Sequence, residues 1–511
     1  MTTKPKIVIV GGGTAGWVTL AYIAAKLDVD ITIVHSNEID IIGVGESTSP
    51  TIRQIADAVG VDEFTWMRDA RATFKYGIEF FDWQHKGSRW FHSFDSEIPH
   101  QAFSQPIIHF GKETYQQELT SIDYFLKLRQ QDSRFDIDWY NRAHGPLQHL
   151  LDTETGHYNQ FGQSNINQFP GYAYHVNAYD YSQCLRKHTP KEKYLEVVDT
   201  VIDVEENEEH GIRSVLTKSG LKITGDIFID CTGFRRLLIG RYAKLVPFTD
   251  LPNDSAIFGS VNGFQSSRAI TQAHAQDAGW IWSIPTWGRM GSGHVYCSKY
   301  MSDDLAHDTI VKFWADQGHT WTENNRVKFT GGRLSQLAIK NVVANGLGQS
   351  FIEPLEATSI MITAWSAIRF VEIFQRQNGW NTQASRTFST IMTQFLENTK
   401  NFVKYHYQLS NRDDTEYWRN YKNPSAVTEV NNIIHEKLQL SWPLKGQTLI
   451  NKFNWASMLI GYNKPYTNTL HDIDPVLLEN YQSYVELLQQ NYKFITRNNL
   501  PNSTILKQIH Q

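Results

Sequence analysis

Several stretches of this 511-residue chain combine residue types and spacing that could do chemistry. The turn Gly11-Gly12-Gly13-Thr14-Ala15-Gly16 has the glycines that let backbone approach a pyrophosphate, and a helix beginning there favours negative charge. Lys75 sits in the alternating run Phe74-Lys75-Tyr76-Gly77-Ile78-Glu79-Phe80. A solvated edge lysine is the ordinary outcome there; a buried one is a compact donor whose proton affinity responds to its surroundings. Gly279-Trp280-Ile281-Trp282-Ser283-Ile284-Pro285 puts two indoles on one face of a strand, as core packing or as the wall of a flat site. Phe351-Ile352-Glu353-Pro354-Leu355-Glu356-Ala357-Thr358-Ser359-Ile360 leads into an apolar helix through Phe374. Its first-turn amides form an anion site unless a side chain caps them. Tyr405-His406-Tyr407, Arg412-Asp413 and Tyr417-Trp418-Arg419 form a polar and aromatic cluster that the pattern does not assign.

The elements that must position these groups follow from periodicity. Lys6 to Val10 and Asp30 to Val34 are short β-branched runs on either side of a helix-compatible Trp17 to Lys26, so the glycine turn lies in a β-α-β unit. In that context the fingerprint indicates a dinucleotide, most simply FAD. The second strand ends in His35, where an acidic residue usually holds the ribose, with Glu38 three positions on. The loop holding Gly45, Glu46 and Ser47 follows, then Ser49 as N-cap and Pro50 opening a helix to Ala58. Asp226 to Gly233 reads as a further strand of the nucleotide sheet, with β-like stretches at Glu196 to Val204 and Lys222 to Ile229. Apolar periodicity predicts helices over Ser385 to Phe402, Val427 to Leu440 and Val476 to Tyr492. The expected fold is α/β: a Rossmann-like FAD module of glutathione-reductase type with an interleaved β-rich substrate region and a C-terminal helical module. The domains run 1–390, with inserted substrate segments at 70–190 and 245–330, and 391–511.

Bulk properties narrow the function. The chain is 41% hydrophobic and 20% charged, with mean hydropathy −0.42 and net charge −5, a folded and non-basic composition. Nucleic acid is not an expected partner. No run approaches the roughly 18 apolar residues of a membrane span, and Met1 to Val10 lacks a cleavable apolar region, so the default is cytoplasmic. Cys184, Cys231 and Cys297 fit no metal spacing and read as reduced structural thiols; no metal is expected. Aromatic residues make up 13% of the chain, which suits a pocket for a flat substrate as well as a core.

From the glycine turn through Arg419 the chain resembles flavin-dependent halogenases of the tryptophan-halogenase family, the Trp280 to Pro285 motif being specific to them. The remainder to Gln511 is similar only loosely. The resemblance implies that Lys75 and Glu356 are essential, and that backbone at Thr358 and Ser359 holds a halide beside FAD. It implies cofactor contacts from Gly11, Gly13, Thr14, Ala15, Gly16, His35, Gly45, Glu46, Ser47 and Leu347. It makes Trp280 and Trp282 a screen between substrate and flavin, and His92, Phe94 and Trp455 the aromatic pocket. Reduced flavin and O₂ then form a flavin hydroperoxide, halide attacks it, and hypohalous acid passes to Lys75. No second glycine fingerprint for NAD(P)H is present, so FADH₂ comes from a separate flavin reductase. A homodimer is left open.

One departure bears on substrate. Members acting on free tryptophan carry a Tyr-Tyr pair and a downstream glutamate for its charged end. The corresponding Ser441-Trp442-Pro443-Leu444-Lys445-Gly446-Gln447, before Phe453-Asn454-Trp455, lacks the pair. An α-ammonium and carboxylate would be poorly satisfied there. The expected substrate is an indole, phenol or similar electron-rich arene, the alternatives being tryptophan itself, a flavin monooxygenase hydroxylating an aromatic ring, or a non-catalytic flavoprotein.

Overall fold

The computed structural model describes residues 4–38, 46–94, 108–110, 113–115, 120–164, 171–264, 266–439, 450–467 and 473–511. Strand Lys6–Val10 runs through the glycine turn into helix Thr14–Lys26 and then strand Asp30–His35, which lies parallel to the first. Ile7 to Val10 are all buried, as a strand covered on both faces requires. The sheet is six-stranded, in the order Tyr194–Val198, Asp30–His35, Lys6–Val10, Ile227–Asp230, Val342–Ala344, Ala338–Ile339. Its first five strands are parallel, and the last is an antiparallel return. The run Lys222 to Ile229 divides at Gly225 between two sheets.

A second, seven-stranded sheet carries the tryptophan motif. Strand Gly279–Thr286 sits centrally and is buried along its whole length, which its near-continuous apolar sequence allows. It pairs with Arg289–Tyr296 on one side and Thr271–Gln276 on the other. Gly293 opposite Trp282 is required sterically, because a Cβ there would lie 2.2 Å from the indole. The sheet continues through Gly77–Phe81 to Arg89–Ser93. Just before it, Thr73–Lys75 leaves to pair with Ala173–Val176 in a small three-stranded sheet. Lys75 thus stands at the junction of two sheets.

Helices cover the other side of the site. Thr358–Arg376 packs on Thr14–Lys26, and Thr382–Gln408, Ala426–Gln439, Lys452–Gly461 and Pro475–Thr496 follow. Residue 390, where the sequence places the start of the helical module, lies inside the helix Thr382–Gln408. One uninterrupted apolar stripe from Ala384 to Tyr407 keeps that helix continuous. The helix expected from Pro50 begins instead at Ile52, with Thr51 in the N-cap position but making no side-chain cap bond, because the Ile52 amide closes a turn onto the Ser49 carbonyl.

Candidate active site

The glycine turn divides its labour. Gly11 has φ +121°, and a Cβ on it would lie 2.3 Å from the Cys231 carbonyl oxygen. A Cβ on Gly16 would lie 1.9 Å from the Gly11 oxygen. Those two glycines serve packing. Gly13 has nothing within 4 Å of its would-be Cβ, which leaves the space a pyrophosphate needs. Gly13 is also the N-cap of Thr14–Lys26, and no side chain caps that helix. Its first amides fit an anion, so the cradle fits FAD. The turn holding Leu347 packs on Ala15: a Cβ on Gly346 would come within 2.5 Å of the Ala15 methyl. The Thr14 hydroxyl donates to the Ala178 carbonyl at 3.2 Å.

His35 stacks directly on the turn, its Cβ 2.5 Å from where a Gly12 Cβ would be. Its Nε2 lies 2.9 Å from Glu196 on the neighbouring strand, and Glu196 also pairs with Arg186 at 2.6 Å. A carboxylate is therefore present at this corner, contributed by a strand about 160 residues later. Ser47 bonds Thr271 at 2.7 Å, Glu46 opens the same two-residue strand, and Gly45 lies outside the described residues. Since Gly13 has room for a methyl in the protein but not beside a ligand, Gly13→Ala should melt like the parent. Its FAD Kd by flavin-fluorescence titration should rise by about tenfold or more. A lowered Tm with unchanged Kd would assign Gly13 to packing instead.

Lys75 is wholly buried rather than at a solvated edge. Its ammonium donates to the Thr48 carbonyl at 2.9 Å and lies 4.7 Å from the centre of the Phe94 ring. Burial pulls its pKa down to about 7, with the negative charge of Glu356 opposing part of that fall. Two residues earlier, the Thr73 hydroxyl donates to the Pro285 carbonyl and meets His175 Nδ1 at 3.1 Å. That contact ties the lysine strand to the end of the tryptophan motif.

Glu356 ends the short turn Pro354–Glu356, and Ala357 follows with φ +57° and ψ +43°. A left-handed alanine costs about 1 kcal/mol, and it is what redirects the chain into Thr358–Arg376. No side-chain cap bond is made to that helix among the described residues, so the amides at buried Thr358 and half-buried Ser359 are donors that an anion could meet. The Glu356 carboxylate lies 3.1 Å from His92 Nδ1 and 2.8 Å from His406 Nε2. Burial alone would raise its pKa, but His92 and His406 more than reverse this and hold it at about 2. His406 comes from the unassigned aromatic cluster, and its Nδ1 lies 3.1 Å from the Tyr462 hydroxyl.

Glu353, three residues earlier, is also buried. It accepts from Asn253, from Tyr407 and from the Trp280 indole N–H at 2.6, 2.9 and 3.3 Å. Burial raises its pKa and these three donors moderate the rise. The loop carrying Glu356 is thereby pinned to the tryptophan motif, whose rings sit 6.0 Å apart. The aromatic pocket residues separate. His92 faces Glu356 and Phe94 faces Lys75. Trp455 is fully buried edge-on against Phe402, which lies 5.6 Å from His92. Asn454, which the sequence reading passed over, reaches His92 directly at 3.2 Å. Ser441 to Gln447 lie outside the described residues.

A glycine-turn cradle that fits a dinucleotide on a parallel sheet, a carboxylate clamped by two histidines just before a helix start, and a buried amine within reach of that carboxylate's charge have the make-up of an α/β flavoenzyme. Residues 6–474 match the family described as tryptophan halogenase, and the chain belongs to that family. It is 33% identical over 439 residues to tryptophan 6-halogenase SttH of Streptomyces toxytricini, covering 83% of this chain and 82% of that one. To tryptophan 7-halogenase RebH of Lentzea aerocolonigenes it is 31% identical over 427 residues, covering 81% and 78%. Among solved structures, the tryptophan C-6 halogenase Tar14 superposes with TM-score 0.83 at 27% identity, covering 99% of this chain and all of that one. The protein is a flavin-dependent halogenase of an aromatic substrate, using FADH₂ from a separate reductase, O₂ and halide. Among the described residues no helix is long and apolar enough to cross a membrane.

Proposed function

We propose that this halogenase acts on an electron-rich arene such as an indole or phenol, with Lys75 delivering the halogen and Glu356 stabilising the attacked ring. The observation that carries the reading is the buried Lys75 ammonium, held by a carbonyl and an aromatic face and, among the described residues, with no carboxylate in contact with it. Such an ammonium can bond hypohalous acid and release it at one point. Bound FADH₂ with O₂ supplies the oxidising power that converts halide to hypohalous acid. The amides of Thr358 and Ser359 hold the halide without adding a titratable group. Glu356, ionised and clamped, places negative charge where the ring becomes cationic on halogen transfer. The proton left on the attacked carbon is acidic enough for even this weakly basic carboxylate to remove. Trp280 and Trp282 wall the site, with Glu353 fixing the angle of Trp280.

The absence of the Tyr-Tyr pair in Ser441 to Gln447 supports a substrate without an amino-acid end. Free tryptophan is the second reading, favoured by the substrates in the names of the relatives. Product mass spectrometry with reductase-supplied FADH₂, tryptophan beside simple indoles and phenols, and chloride, bromide and iodide in turn decides between them. We expect halogenated indole or phenol to exceed halogenated tryptophan; efficient turnover of tryptophan alone would reverse the assignment. Hydroxylated product independent of halide would overturn the roles given to Lys75 and the helix amides.

A further inference from the structure

The clamp on Glu356 has an outer member. Helix Lys452–Gly461 opens with a reciprocal cap: the Asn451 side chain accepts from the Asn454 amide at 3.3 Å, and the Asn451 backbone N–H donates to Asn454 Oδ1 at 2.9 Å. The second bond settles which way the Asn454 side chain faces. A backbone N–H can only donate, so the amide oxygen must meet it and the NH₂ must point the other way. The NH₂ is what lies 3.2 Å from His92 Nε2. An amide NH₂ has no acceptor, so His92 Nε2 must be the acceptor and carry no hydrogen. The hydrogen of a neutral imidazole then sits on Nδ1, at 3.1 Å from both oxygens of Glu356. The His92 side chain is only 4% exposed, so solvent offers little alternative.

We propose that Asn454 is a positioning residue that fixes His92 as the neutral Nδ1–H tautomer and so keeps a donor aimed at Glu356. The tautomer stands apart from the reaction; only its consequence for turnover rests on the function proposed above. Among the described residues, the charged and titratable groups that the contacts place around His92 are Glu356 from the turn and, beyond it, His406 from the helix Thr382–Gln408. Neither supplies an acceptor for His92 Nε2; both sit on its Nδ1 side. Asn454 therefore decides the tautomer alone among the described contacts of that nitrogen.

The test is long-range ¹H–¹⁵N spectroscopy of the full chain labelled with [¹⁵N]histidine, with the His92 signals assigned by their loss in His92→Gln. We expect Nε2 at the shift of an unprotonated ring nitrogen and Nδ1 at that of a protonated one. Asn454→Asp keeps an oxygen for the Asn451 N–H but replaces the NH₂ by an acceptor, so a hydrogen should appear on His92 Nε2. Asn454→Leu should give mixed tautomers and lower kcat for halogenation by about tenfold, with halide KM unchanged. A wild-type spectrum with hydrogen on Nε2 overturns the proposal even if neither variant folds. So does an Asn454→Asp spectrum identical to wild type. A normal tautomer shift in Asn454→Leu with unchanged kcat would keep the positioning and refute its catalytic consequence. Loss of all halogenation in the wild type would bear on the proposed function and leave the tautomer result intact.

Discussion

Replacing Lys75 with methionine should abolish halogenation and make the folded protein more stable. The activity loss follows from geometry: among the described residues the ammonium is the cation placed against Phe94 and the Thr48 carbonyl, in the field of Glu356. Removing a preorganised donor from a dry site costs about 10²–10³ in rate, and more where the group also carries the reacting halogen. The stability gain follows from proton linkage. Lys75 has a folded pKa of about 7, below its ordinary 10.5, so the folded state holds its proton less tightly than the unfolded chain. Below pH 7 the buried ammonium therefore opposes folding in full, and its penalty fades as pH rises from about 7 to 10.5. At about 1.4 kcal/mol per tenfold in proton affinity, Lys75→Met should gain up to about 5 kcal/mol at pH 6. Methionine fills nearly the same volume without charge. Denaturant unfolding at pH 6 and pH 9.5 should show this gain shrinking at the higher pH. An equal or lower stability at pH 6 would mean the lysine is not paying a burial penalty. The same titration predicts that wild-type halogenation falls on the alkaline side near pH 7 if the ammonium is the delivering form. A rise there would instead assign delivery to the neutral amine through a haloamine.

Glu356→Gln should lower kcat by about 10²–10⁴ while FAD affinity, read by fluorescence titration, stays within a few-fold. The carboxylate is held by His92 and His406, and among the described residues its hydrogen-bond and ion-pair partners include none from the glycine turn. Its pKa of about 2 carries two further consequences. Any fall in the wild-type rate between pH 6 and pH 4 should not arise from Glu356, since that group stays ionised throughout. Its contribution to stability is fully present above the ordinary glutamate value of 4.5 and is lost as pH falls through about 2. Wild type should thus exceed Glu356→Gln in stability by up to about 3 kcal/mol at pH 6, and the gap should narrow steadily on acidification below pH 4. A gap that is constant from pH 6 to pH 2.5 would show that the carboxyl is not held ionised by His92 and His406.

The comparison with the monooxygenase alternative turns on position more than composition. A hydroxylating flavoenzyme would also need the glycine turn and the strand ending at Asp230. What it would not need is a buried amine that feels the charge of a carboxylate two residues ahead of a helix start without a side-chain cap bond, and both features are present here. Family membership points the same way.

Much of the scaffold was legible because its cues are local. The glycine turn between strands Lys6–Val10 and Asp30–His35, the motif strand with both tryptophans on one face, and the long C-terminal helices all follow from backbone periods that a short window displays. The helix after Ser49 starts later than the Ser-Pro pair suggests because the Ser49 carbonyl accepts from the Ile52 amide in a turn, and neither the Ser49 nor the Thr51 hydroxyl makes a cap bond among the described residues.

The residue types at Lys75, Glu356 and the glycine turn were determined by the sequence itself, and with them the class of chemistry. Tertiary structure alone decided that Lys75 is buried at the meeting of two sheets, that a carboxylate returns to the His35 corner through Glu196, and that His92 and His406 close on Glu356. The physical reason is separation along the chain. His92 and Glu356 stand 264 residues apart, and His92 and Asn454 362 apart. Proton affinity, tautomer and charge in a dry site depend on which distant elements pack together, and no local pattern records that.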